Sequence, residues 1–129
     1  MPKNWTWLEV HSEDWPLKAS VWILDEPEYR YEFATVRDGE EMRVLALTME
    51  PDPSKTWTSP KSNFSYPLSW KLKFENSDYL QIDSIRRDQE MLGPRNLGDS
   101  AYEGFVTING EFQGHKKGLG VVEMVTIYE

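Results

Sequence analysis

The sequence predicts an all-β protein, an antiparallel up-and-down barrel of about eight strands. Three observations lead there. Apolar residues recur with period two along most of the chain, no window of helical length carries an apolar stripe, and turn residues punctuate the runs at short intervals. A meander of that kind leaves two free edges unless it closes on itself, and closure removes them. An open two-sheet sandwich would show the same periodicity.

The elements can be justified in order. Residues Trp5 to His11 and Lys18 to Leu24 alternate well enough for the first two strands. In "YRYEFATVRD", Tyr29, Tyr31 and Phe33 share one side against Arg30 and Glu32. "MRVLALTME" has large residues on both faces, as expected where both are covered or one lines a cavity. In "LSWKLKFE", Leu68, Trp70, Leu72 and Phe74 oppose Ser69, Lys71, Lys73 and Glu75, the pattern of a half-buried strand. Tyr79 to Arg86, Tyr102 to Phe112 and Leu119 to Tyr128 complete the set. "SIRRDQEMLG" has room for one helical turn at most. Turn signals stand at Asp25-Glu-Pro, Asp38-Gly39, Glu50-Pro-Asp-Pro, Glu75-Asn-Ser-Asp and Asn109-Gly110 or Gly114-His115. The long stretch "PDPSKTWTSPKSNFSYP" is too aromatic for a loose linker, because Trp57, Phe64 and Tyr66 need somewhere to pack.

Residues 1–129 are a single-domain length with no boundary, repeat or low-complexity tract. Six tryptophans, six tyrosines and five phenylalanines suggest a core or cavity walled by flat side chains. A formal charge of −8 argues against binding nucleic acid or inserting into an anionic membrane. Without cysteine there is no thiolate nucleophile, disulfide or Cys-based metal site. A soluble, cytoplasmic protein is the expectation.

"TWTSPKSNFSYPLSWKLKF", then "DQEM", then "YEGFVTINGEFQGHKKGLGVVEM" resembles the lipocalin-like carotenoid hydratase family, which includes hydroxyneurosporene synthase and AttH-like proteins. The residues carrying the likeness are Trp57, Ser59, Pro60, Tyr66, Pro67 and Trp70, then Tyr102, Glu103, Gly104, Val106, Gly110, Gly118, Gly120 and Glu123. "NWTWLEV" resembles the strand that opens the family's second domain. The family's Tyr-Trp-Glu-Gly reads Ala101-Tyr102-Glu103-Gly104 here. The resemblance implies a lipocalin-like barrel corresponding to the C-terminal one of two packed domains, and a hydrophobic small molecule as ligand. It also implies hydration of isoprenoid double bonds or cyclisation, often at a site between the domains. A chain with one such domain could dimerise to replace the other.

Candidate catalytic residues follow from their surroundings. With a two-residue tip at Gly114-His115, Val106 lies opposite Glu123, Ile108 opposite Val121 and Gly104 opposite Val125. Glu123 then shares the face of Val106, Ile108, Val121, Val125 and Ile127, where desolvation would raise its pKa and suit it to donate a proton. Alternatively it pairs with an arginine such as Arg86, or faces solvent if the register is one off. Trp5, Trp7, Glu9 and His11 alternate on one strand face, two indoles with a carboxylate and an imidazole, the side-chain type suited to moving protons near neutral pH; the alternative puts Glu9 and His11 in water at a strand end. Glu123 or Glu9 would be the acid, with His11 as partner. Trp5, Trp7, Tyr31, Phe33, Trp57, Tyr66, Trp70 and Tyr102 would form the aromatic wall. Arg86, Arg87, Asp88 and Glu90 read as ion pairs bracing a loop, and Asp83 reads as outward. Two distant histidines give no metal-ligand spacing, and no glycine-rich loop opens a helix, so no cofactor is expected. The reading is an acid/base enzyme that hydrates, isomerises or cyclises an apolar polyene or terpenoid-like natural product. The alternative is a module that binds such a ligand without chemistry.

Overall fold

The computed structural model describes residues 4–13, 17–25, 28–92, 101–112 and 114–126. Among the described residues eleven strands run in chain order: β1 (Asn4–Ser12), β2 (Leu17–Asp25), β3 (Arg30–Asp38), β4 (Glu41–Pro51), β5 (Thr56–Thr58), β6 (Ser65–Pro67), β7 (Ser69–Phe74), β8 (Tyr79–Ser84), β9 (Glu90–Met91), β10 (Ala101–Phe112) and β11 (His115–Thr126). All pairings are antiparallel. β1, β2, β3, β4, β7, β8, β10 and β11 follow one another around a closed eight-stranded barrel, sealed where β11 pairs with both β10 and β1. The barrel predicted from period two is therefore the fold, and the sandwich is not. No described helix is long and apolar enough to cross a membrane.

Alternation sorts the side chains. Leu8, Val10, Leu17, Val21, Ala34, Val36, Leu72, Ile82, Tyr102, Val106, Ile108 and Val122 fill the interior with Trp70, and Phe74 packs on Phe112 with ring centroids 4.4 Å apart. Burying each such aliphatic or phenyl side chain stabilises by about 1.5–3 kcal/mol. The interior is thus mostly packed rather than hollow. A cavity of about 240 Å³ opens at one mouth, lined by Trp5, Ile23, Arg30, Met49, Tyr66, Trp70 and Met124 among others.

Gly118 and Gly120 allow the final seam. Both face inward on β11, and a Cβ at Gly120 would stand 2.0 Å from the carbonyl oxygen of Glu9, one at Gly118 2.3 Å from that of His11. The backbones of β1 and β11 can come that close only where the side chain is missing.

Three local expectations are corrected. The stretch from Ser84 to Leu92 contains no helical turn; Glu90–Met91 instead form β9 against Tyr102 and Ala101. The long stretch after β4 holds a two-stranded flap, β5–β6, pairing Trp57 with Tyr66. The last hairpin turns between Phe112 and His115, not at Gly114-His115, and its register shifts between Asn109 and Phe112. That irregularity places an extra residue in β10, so Val106 faces Gly120 and Glu103 faces Glu123. A slip of this parity moves a side chain to the other face. Glu123 lies outside the barrel, flanked by the inward Val122 and Met124. Ile127 and Tyr128, read as part of the last strand, lie outside the described residues.

Candidate functional site on the outer barrel face

The outer face of β10, β11, β1, β2 and β3 is ordered in cross-strand rows. One row runs Glu103–Glu123–Trp7–Trp22–Phe33, the next Phe105–Val121–Glu9–Ser20–Thr35, and the next Thr107–Leu119–His11–Lys18–Arg37. A globular surface of this size seldom leaves so many large apolar groups in the open: Phe105 is 65% exposed and Leu119 63%.

The two carboxyl groups of the first row face one another directly. Burial pushes the Glu123 carboxyl above the ordinary glutamate range, and the charge of Glu103 and a hydrogen bond to it push the same way. Like charges in directly opposed cross-strand positions repel, which adds to the effect of burial in favouring the protonated form of Glu123. Beside it is a hollow of about 390 Å³ lined by Trp7, Met91, Phe105 and Val121 together with both glutamates. Trp7 stands across the strand from Glu123, its ring 6.0 Å from Trp22 and tilted by 50°. Its buried indole N–H has no acceptor among the described atoms. A donor left that way is costly unless a ligand or water meets it.

The residues singled out from sequence divide between two sides of the wall. Glu123, Trp7, Glu9, His11, Tyr31 and Phe33 all lie on the outer face, and Tyr31 is 57% exposed. His11 Nε2–H donates a 2.9 Å hydrogen bond to the Glu9 carboxylate. Trp5 is half-buried at the rim and joins the mouth cavity. Tyr66, Trp70 and Tyr102 are buried on the inner side, and Trp57 is half-buried on the flap. The aromatic set expected to form one wall is therefore two sets, one inside and one outside. Glu103 was noted only as a family-motif residue, and nothing in the spacing marked it as the partner of Glu123.

A second carboxylate is organised in the opposite way. Glu90 accepts hydrogen bonds from the hydroxyls of Ser59 and Ser62 at 2.5 Å each and of Tyr66 at 2.6 Å. These three donors hold its carboxyl below the ordinary range despite its partial burial, and the Lys61 charge adds to the effect. The expected ion pairs around Glu90 are replaced by this hydroxyl cradle, which ties the β5–β6 flap to β9. Tyr66 in turn packs between Trp57, at 6.3 Å, and Tyr102, at 5.1 Å. Tyr102 donates to the carbonyl of Arg86 at 2.7 Å. Asp83 is turned outward as read, accepting from Ser69 at 2.7 Å.

Because Glu90 is depressed, its contribution is present above the ordinary glutamate range and is lost as pH falls through its lowered value. Acidification from pH 5 is therefore expected to open the flap before the barrel unfolds. Amide hydrogen exchange at residues 56–67 should rise before that of β10 and β11, and Glu90→Gln should show the faster exchange already at pH 7.

No family model matches the chain. It is 40% identical over 126 residues to kievitone hydratase of Fusarium solani subsp. phaseoli, covering 95% of this chain and 36% of that protein. To dehydratase asqC of Emericella nidulans it is 34% identical over 131 residues, covering 95% of this chain and 38% of that one. The crystal structure of kievitone hydratase from Nectria haematococca superposes with a TM-score of 0.88 at 35% identity, over 98% of this chain and 40% of the other. An AttH-like protein from Nitrosomonas europaea shares the fold at a TM-score of 0.81 and 20% identity, over 98% of this chain and 39% of that one. Homologous to kievitone hydratase and dehydratase asqC over roughly two fifths of their length, the chain carries the lipocalin-like barrel of the carotenoid hydratase and AttH-type family.

Proposed function

We propose that the chain carries the acid/base centre of a hydratase or dehydratase acting on an apolar, unsaturated natural product. The observation that supports it is the directly opposed Glu103–Glu123 pair, with the Glu123 carboxyl raised by burial, beside an aromatic-lined hollow. In the hydration direction the Glu123 carboxylic acid gives its proton to one carbon of the double bond. The positive charge on the other carbon faces the Trp7 ring, whose π-surface stabilises a cation. Water adds its oxygen there while the Glu103 carboxylate takes the water proton. That proton returns to Glu123 through the bond between the two carboxyls, so the enzyme is restored and one water has been added. Dehydration is the same path reversed. Isomerisation or cyclisation follows if the cation loses a proton, or meets a second double bond, before water arrives.

This reading agrees with the names of the relatives, a hydratase and a dehydratase, the first of which takes its name from kievitone. The chain spans well under half of either. The test is incubation with kievitone and a panel of isoprenoid-bearing polyenes in H2 18O. Mass spectrometry is expected to find a product that has gained one labelled water. Ligands that quench tryptophan fluorescence yet remain unlabelled across the panel would overturn it.

The mouth cavity favours a second reading, an apolar-ligand carrier. Its lining includes Trp5, Trp70, Tyr66 and Met124, and its charged groups, Asp25 and Arg30, are engaged in a 3.9 Å ion pair at the rim.

A further inference from the structure

Between Tyr102 and Val106, β10 changes partner. On one edge its pairing with β9 ends at Tyr102 and its pairing with β8 begins at Val106, so Glu103, Gly104 and Phe105 fall in neither ladder there. All three line the acid hollow. Backbone N–H groups left unpaired where they are partly covered are costly. Here the segment between β8 and β9 fills the gap, chiefly with one residue. The backbone carbonyl of Gln89 accepts from the N–H of Glu103 at 3.1 Å, and its side-chain Oε1 accepts from the N–H of Phe105 at 2.9 Å. Its Nε2 donates to the carbonyl of Arg86 at 3.0 Å and to the Tyr102 hydroxyl at 3.1 Å. The amide oxygen and both amide hydrogens are thus engaged, which fixes how the amide is turned. Gly104 is what admits it, since a Cβ there would stand 2.3 Å from the Gln89 amide carbon. That amide ends a flexible side chain, so an added methyl would displace the amide rather than the barrel.

We propose that Gln89 is a positioning residue for the acid pair: its amide, laid against Gly104, holds the edge of β10 so that Glu103 stays opposed to Glu123. The inference rests on the hydratase reading only for the task given to Glu103, that of taking the proton from water. Glu103 and Glu123 are directly paired, and Cβ atoms so placed stand about 4.5–5.5 Å apart. Their carboxyls therefore meet only while the backbone that carries them keeps its place. The N–H of Ile85 holds the Phe105 carbonyl at 3.1 Å, but the Phe105 N–H depends on the Gln89 side chain. Without that acceptor the N–H turns to water, and the segment bearing Glu103 and the Phe105 ring moves away from the hollow. Misplacing a catalytic group by about 1 Å costs about 10²-fold in rate. The backbone bond from Glu103 to Gln89 does not depend on the side chain, so the barrel still closes when the amide is removed.

Gln89→Ala, Gly104→Ala and the double variant test this in the whole chain. The first measurement, an NMR titration of the Glu123 carboxyl carbon, needs no substrate. Glu103 is one cause of the upward displacement of that carboxyl. Each single variant should therefore bring the titration back toward the ordinary glutamate value and speed hydrogen exchange at the Phe105 amide. The double variant should match Gln89→Ala, because removing the amide leaves room for the added methyl and residues in contact do not act additively. In the labelled-water assay each variant should lose about 10- to 100-fold in kcat, with KM within about twofold. An unchanged Glu123 titration in Gln89→Ala overturns the proposal even if the protein melts lower, since lost packing alone would leave the pair as it was. So does a double variant in which the two effects add, or a labelled-water turnover that the single variants leave within about twofold of the parent. If the parent forms no labelled product while the titrations move as expected, the hydratase reading fails and the placement of Glu103 by Gln89 stands.

Discussion

Replacing Glu123 with glutamine is expected to lower turnover by about 10²- to 10⁴-fold, the contribution of a positioned general acid. The amide keeps the shape of the side chain but cannot deliver a proton to carbon. Incorporation of label from H2 18O is the readout, and an unchanged rate would remove Glu123 from the mechanism. The same substitution has an opposite effect on stability. The folded-state pKa of Glu123 is raised by burial and by Glu103, so its protonated form is favoured in the fold. The stabilisation is fully present below the ordinary value of 4.5 and disappears as pH rises through the elevated one. At neutral pH, therefore, Glu123→Gln should melt at a higher temperature than the parent, with the difference shrinking toward pH 4. Activity and stability move in opposite directions because the pair concentrates like charge where chemistry needs a proton. Catalytic centres commonly carry groups perturbed in this way.

Trp70→Ala is expected to cost about 3–5 kcal/mol, the range for removing a buried aromatic and leaving a cavity. Trp70 is 1% exposed, at the start of β7, pairing across to Pro51 on β4 and Ile82 on β8. It also forms part of the inner wall of the mouth cavity. Total stability of a domain this size is about 5–15 kcal/mol, so the loss takes a large share of it. Urea unfolding at 25 °C should show the midpoint falling with little change in slope. A loss below about 1 kcal/mol would mean that the mouth relaxes around the gap, and that the side chain packs less tightly than its burial suggests. Tyr31→Ala on the outer face is the control, since its exposed ring has little apolar contact to lose.

The hydroxyl cradle around Glu90 ties the β5–β6 flap to β9. The cradle closes the flap over the mouth, and Met91, next to Glu90 on β9, also forms part of the wall of the acid hollow. The flap and the outer site are therefore joined through two adjacent residues.

What the sequence determined by itself is an all-β chain of antiparallel strands and which residues share a face. Closure into a barrel rather than a sandwich, and which face lies inside, came from the strand pairing. Leu68 to Glu75 reads as a half-buried strand because side chains in extended backbone alternate, and that local geometry needs no partner to be recognised. Gly118 and Gly120 entered only as residues carrying the resemblance; the structure shows that they let the backbones of β1 and β11 come together. The resemblance carried by Trp57 to Trp70 and Tyr102 to Glu123 pointed to the same fold. Tertiary structure decided which face of the wall each candidate occupies. Glu123 was assigned inward from an assumed hairpin tip, and one irregularity between Asn109 and Phe112 reversed it. Alternation tells which residues share a face but not which face is inside, and one extra residue exchanges the two. The cradle of Glu90 was equally hidden, because its donors are 24 to 31 residues away along the chain. Only closure of the barrel brings Ser59, Ser62 and Tyr66 to it, and only the pairing of β10 with β11 sets Glu103 against Glu123.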